Sequence, residues 1–217
     1  MLAAENIRDI LSHYKWDGLM VLRILAASNI NGREDLVPYI IYLANTEKID
    51  VVLFCGNIVS PLIIDEISKR IKGRVLGVAG NLDDPSVIKI LKSINGFIDG
   101  RIVEIDGLNI GGIGFNPELS VNRLLKENKH LDILVSFYPS IKTPFKNGVG
   151  MVDHLIKTLH PKIVVFGRGY KECLVNDKYI FPGDGYKGFY ALIEIKSKDY
   201  RIKTYCHRLQ NIVLDNY

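Results

Sequence analysis

Two rhythms of apolar and polar positions run along the chain. Residues 21–27, 50–55, 74–79, 132–136 and 162–166 form short, nearly continuous apolar runs bounded by Gly, Asp or Ser, the pattern of strands buried on both faces. Between them, Glu34–Thr46, Pro61–Ile71, Pro85–Ser93, Pro117–Lys129 and Gly150–Leu159 space their apolar positions as helices. Alternation of the two predicts parallel strands joined by crossover helices. RIVEI and LNIGGIG, separated by Asp106-Gly107, carry a two-residue hairpin signal, which makes the sheet mixed. Near the C-terminus KYIF, GFYALIEI and DYRIKTYC read as antiparallel strands, the last pair turning at Ser197-Lys198. Residues 3–14 read as an amphipathic helix, stopped by Trp16-Asp17-Gly18, that packs outside the sheet. The expected fold is α/β, two mixed β-sheets facing each other with helices outside. No repeat or linker divides the chain, so one domain is expected over 1–217, with the N-terminal helix in 1–18 and the core in 21–206.

Composition narrows the class. At 217 residues a single core can bury about 70% of the unfolded surface. With 47% hydrophobic and 24% charged residues the chain resembles neither a disordered nor a fibrous protein. No apolar run reaches the roughly 18 residues of a membrane span, and the first residues are acidic where a signal peptide is basic, so a cytoplasmic protein is expected. Cys55, Cys173 and Cys206 are odd in number and form no CxxC pair, which argues against a disulfide framework or zinc knuckle and for a reducing compartment. The net charge of +4 is spread along the chain, and its densest basic stretch, Lys196–Arg208, is broken by Asp199 and apolar residues. Nucleic acid is accordingly not an expected partner.

Ligands of open α/β sheets bind beyond the carboxyl ends of the strands. Four of those turns carry glycine: Ser28-Asn29-Ile30-Asn31-Gly32, Gly56-Asn57-Ile58-Val59, Gly80-Asn81-Leu82-Asp83 and Gly167-Arg168-Gly169-Tyr170. In order and spacing they resemble the signature of the calcineurin-like metallophosphoesterases: S-D-x-H-G, then G-D, G-N-H-[DE], a His after a strand, and G-H-x-H. The segment Ile24 to Val59 resembles the family's cyclic-nucleotide-phosphodiesterase-like archaeal and bacterial branch, as do Leu134–Pro139, Phe181-Pro182-Gly183 and Tyr190–Glu194. This resemblance implies a sandwich of two mixed sheets and a two-metal site at the turns.

The departures decide what the site can do. On this correspondence the first Asp and His of the family fall on Asn29 and Asn31, the G-D aspartate on Asn57, the single His on Phe137 and the paired histidines on Arg168 and Tyr170, while the catalytic His position is Leu82. Asn81 alone keeps the family's residue. Two ions held about 4 Å apart need anionic oxygens and imidazoles to offset their charge. Asparagine keeps the shape of aspartate but not its charge, and Arg168 adds a fixed cation. One such charge about 4 Å from a divalent ion repels it by about 8 kcal/mol at an effective dielectric of about 20. The expectation is a degenerate former metal site with no metal, no cofactor and no catalytic residue.

Other residues offer no substitute. His13, His130, His154, His160 and His207 lie on helices, at a helix end or in the last strand, away from the turns. Asp83-Asp84 could hold one hard cation, or Asp84 could cap the helix that starts at Pro85. The reading that results is a catalytically inactive binding or scaffolding module, as the family's retromer subunit and some DNA polymerase small subunits are. Its partner would be another protein or a second copy, and a phosphate-like anion could sit in a metal-free pocket of Arg168, Asn29, Asn57 and Asn81. The alternatives are an active phosphoesterase or nucleotide hydrolase with a non-standard metal site, and a nucleic-acid-binding module resting on the Tyr/Lys alternation of the last hairpin.

Overall fold

The computed structural model describes residues 21–145, 148–176, 178–196 and 201–208. The helix expected over 3–14, its stop at Trp16-Asp17-Gly18, His13 and the turn at Ser197-Lys198 lie outside the described residues.

Two mixed sheets face each other. In the first, β1 (Val21–Ala27), β2 (Val51–Phe54) and β3 (Arg74–Gly77) run parallel. β10 (Phe189–Lys196) lies antiparallel against β1, and β11 (Arg201–Arg208) antiparallel against β10, giving the order β11-β10-β1-β2-β3. The second sheet comprises β4 (Ile102–Ile105), β5 (Leu108–Ile113), β6 (Ile133–Ser136), β7 (Ile163–Phe166), β8 (Leu174–Asn176) and β9 (Tyr179–Phe181), in the order β4-β5-β6-β7-β9-β8. The β4–β5 turn is the expected Asp-Gly hairpin, with Asp106 and Gly107 both at positive φ (50° and 78°), as a type I′ turn requires.

Helices cover both outer faces. Against the first sheet lie α1 (Val37–Thr46), α2 (Pro61–Arg70) and α3 (Pro85–Ser93); against the second lie α4 (Pro117–Glu127) and α5 (Gly150–Leu159). Period-2 alternation sorts each strand's side chains. Leu25, Val52 and Phe54 pack on the first helix layer, Leu134, Val164 and Phe166 on the second. Ile24, Leu53, Val135, Val165 and Ile193 meet between the sheets. Because every central strand is apolar on both faces, the runs read as unbroken in the sequence.

Three expectations are corrected. The strand KYIF belongs to the second sheet, where β9 runs parallel to β7, rather than to the C-terminal antiparallel group. Its antiparallel neighbour β8, short and exposed at two of its three positions, carries no periodic signal and is absent from the expected elements. And Cys173 and Cys206 form a disulfide across 33 positions, Cα to Cα 5.4 Å, tying the loop before β8 to β11 of the other sheet. Spacing gives no hint of this pair, because the sheet order alone brings it together. Cys55 is free and buried, and burial pushes its thiol far above the usual range, leaving it protonated and inert.

Candidate functional site

The turns after β1, β2, β3, β6 and β7 converge at the carboxyl edge of the sandwich, and their residue types fit the backbone they adopt. Asn29 (φ 49°), Asn31 (φ 52°), Gly32 (φ 77°), Gly56 (φ 97°) and Asn57 (φ 56°) all take left-handed conformations, which asparagine and glycine tolerate best. A backbone ladder joins the first two turns: the N–H groups of Asn29, Asn31 and Gly32 donate to the carbonyls of Gly56 (3.1 Å), Asn57 (3.0 Å) and Ile58 (2.9 Å).

The third turn is fastened by Asp83. Its carboxylate accepts from four backbone N–H groups, those of Gly80 and Asn57 on Oδ2 (2.7 and 2.8 Å) and of Ile58 and Val59 on Oδ1 (2.7 Å each). Neither oxygen is left for a cation. Val59 is held at φ 72°, a rare conformation for a β-branched residue, and one of these bonds secures it. Asp84 caps α3 through Ser86 N–H (2.7 Å) and Val87 N–H (3.4 Å), the second of its two expected roles. Sequence reasoning misses Asp83 as the organiser of two turns. The signal is there, since the residue occupies the acidic place of G-N-H-[DE].

Asn29, Asn57, Phe137 and Arg168 are brought together. Asn57 Nδ2 donates to Asn29 Oδ1 (3.0 Å), and Leu82 N–H donates to Asn57 Oδ1 (3.0 Å). Asn29 Nδ2 reaches the Gly167 carbonyl (3.1 Å) and Asp184 (3.4 Å), an acid not singled out in the sequence. Phe137 is fully buried, and its ring lies so close to Gly56 that a Cβ there would come within 2.5 Å of Phe137 Cδ2. The Arg168 guanidinium sits over that ring, 5.4 Å from its centroid. Tyr170 instead joins an aromatic cluster with Phe145 (4.6 Å) and Phe181 (5.0 Å). Asn31, Asn81 and Leu82 are exposed, Leu82 at 55%.

This donor set does not fit a pair of divalent ions. The amide oxygens of Asn29 and Asn57 already accept hydrogen bonds, Phe137 presents hydrocarbon, and Arg168 carries positive charge. Among the described residues no group of three or more His, Cys, Asp or Glu is placed to hold a metal. The histidines stand elsewhere: His130 contacts Asp132 (3.0 Å), His160 follows α5, His154 is on its exposed face, and His207 stacks on Tyr190.

No family profile and no curated protein matches the sequence. Solved structures do. The chain is similar to the TT1561 protein of Thermus thermophilus, with a TM-score of 0.67 at 18% identity over 88% of this chain and 100% of that one. The fold is that of the calcineurin-like metallophosphoesterases. A novel archaeal phosphodiesterase shares this fold (TM-score 0.54, 19% identity, 86% of this chain and 100% of that one). So does GAP50 of Plasmodium, described as the anchor in the inner membrane complex (TM-score 0.56, 12% identity, 87% and 88%). At these identities the likeness carries the metallophosphoesterase fold and nothing more. No described helix of this metallophosphoesterase-fold chain is long and apolar enough to cross a membrane.

Proposed function

We propose that the chain is a non-hydrolytic binding module built on the metallophosphoesterase scaffold, acting through contact with another protein or a second copy of itself. The observation that carries this reading is Phe137, wholly buried against Gly56 and under Arg168 at the position where the resemblance gives a metal-ligating imidazole. Asn29 and Asn57 spend their amides on each other and on the backbone, as residues of a scaffold do.

A contact role draws support from the same edge. Of the eight exposed large hydrophobic residues described, six lie there: Val59, Leu82, Phe115 and Ile141 in turns leaving strands, and Leu62 and Leu119 in the helix turns that follow. Apolar side chains gathered at one end of a domain mark an interaction surface. GAP50, of like fold, is described as an anchor, a role made of contacts.

Metal analysis and a phosphodiester assay with manganese test the proposal. The purified protein is expected to carry no stoichiometric zinc, manganese or iron and to show no turnover above a protein-free sample. Asn29→Asp with Asn57→Asp is expected to leave it inactive, because the imidazoles are still missing. Metal-dependent turnover abolished by Asn81→Ala would overturn the reading in favour of the hydrolase that the phosphodiesterase neighbour exemplifies. A monodisperse monomer that retains no partner from its native extract counts against the contact role.

A further inference from the structure

At the opposite, amino edge of the strands a cleft of about 780 Å³ opens between the loops that lead into β2 and β3 and the β4–β5 turn. That volume lies within the roughly 300–1,000 Å³ of small-molecule sites. Four cations line it: Lys48 after α1, Arg70 at the end of α2, Lys72 in the next loop and Arg74 at the start of β3. Among the described residues none of the four has a carboxylate partner, and the Arg74 guanidinium donates one long hydrogen bond to the Asn95 carbonyl (3.4 Å).

Lys48 stands at φ 53°, a left-handed position after a helix where glycine or asparagine is relaxed, so a strained backbone residue delivers a cation to the cleft. Asp50, which accepts from Arg23 N–H (2.8 Å), and Asp106 also line it and offset two of the four charges. The ends of α1 and α2 offset part of the positive charge too. The cations are spread over two segments, Lys48 before β2 and residues 70–74 before β3, rather than focused on one point. Such a spread meets several anionic groups at once, and Arg70 and Arg74 can each grip two phosphate oxygens.

We infer that this cleft is a second binding site, distinct from the turns, for a small molecule carrying two or more phosphate groups. Inorganic tripolyphosphate at low salt is the probe, followed by melting temperature and by calorimetry. A rise of about 3–5 °C is expected once the probe is about tenfold above its Kd, and it should shrink as salt screens the charges. Lys72→Glu with Arg74→Glu, both exposed positions, should abolish the rise, and Arg168→Ala should leave it intact.

No shift at millimolar tripolyphosphate, or a shift that survives the double reversal, overturns the inference. Loss of the shift in Arg168→Ala also overturns it and assigns the anion to the turns instead. If a short single-stranded DNA binds the wild type more tightly than tripolyphosphate, with a steep salt dependence lost in the double reversal, the ligand is nucleic acid and the small-molecule assignment fails.

Discussion

The two edges of the sandwich treat polar groups in opposite ways. At the carboxyl edge they are turned inward: Asn29 and Asn57 bond each other, Asp83 gathers four backbone N–H groups, and Arg168 lies on a phenylalanine ring. At the amino edge Lys48, Arg70, Lys72 and Arg74 line an open cleft with no carboxylate partner among the described residues. The contrast separates groups that serve the fold from groups open to a ligand. Groups already satisfied by the protein hold the fold together, and groups left unsatisfied at the surface are the ones available to a ligand.

The carboxyl edge offers the severest test of that division, because stability should be at stake there. Asp83→Ala leaves four N–H groups without their acceptor and is expected to cost about 4–5 kcal/mol in denaturant unfolding, with Asp83→Asn recovering part of it. Phe137→Ala should cost about 3–5 kcal/mol through the cavity it leaves. A loss below about 1 kcal/mol in both would mean that these turns do not hold the fold. Reducing the Cys173–Cys206 bond, which closes a loop of 33 positions, should cost about 2–4 kcal/mol, and Cys173→Ser should match the reduced protein.

A smaller effect comes from pH. Burial lowers the pKa of His207, so the folded imidazole resists a proton that the unfolded chain accepts near the ordinary value of about 6.5. Its contribution is therefore present above that pH and lost as pH falls below it, at no more than about 1.4 kcal/mol per pH unit. His207→Phe should flatten this slope. Asp50 and Asp99, whose carboxyls burial raises, act with the opposite sign: their contribution is lost as pH rises from the ordinary carboxyl range. Smallest of all, Lys72→Glu with Arg74→Glu should change stability by no more than about 1 kcal/mol, since both positions are exposed and the bond lost is the long one from Arg74 to the Asn95 carbonyl (3.4 Å).

Much of the architecture was legible because apolar runs bounded by Gly and Asp mark strands buried on both faces. The five parallel strands predicted fall within a residue or two of β1, β2, β3, β6 and β7, and Asp106-Gly107 turns as its two residues demand. β8 escaped because three residues, two of them exposed, carry no period, and the sheet joined by β9 could not be known from a pattern that is the same for either sheet. In the site, the sequence named the residues at the turns, but not how they would pack against one another. That Asn29 and Asn57 would pair, that Tyr170 would turn to Phe145 and Phe181, and that Arg168 would lie on Phe137 depend on rotamers and on loops distant in sequence. The amino-edge cleft left no trace, its cations being four ordinary surface residues until two segments meet.

The link between Cys173 and Cys206 also bears on how the molecule opens. Among the described residues β11 is the outermost strand of its sheet, and such a strand is ordinarily the first to fray, exchange its amide protons or pair with a foreign strand. Here it is stitched to the loop leading into β8, at the corresponding rim of the other sheet. The bond limits how far either rim can move away from the other, which couples their opening. Amide exchange in β11 and β8 should follow one shared opening event while the bond is intact, and separate into a fast and a slow group once it is cut.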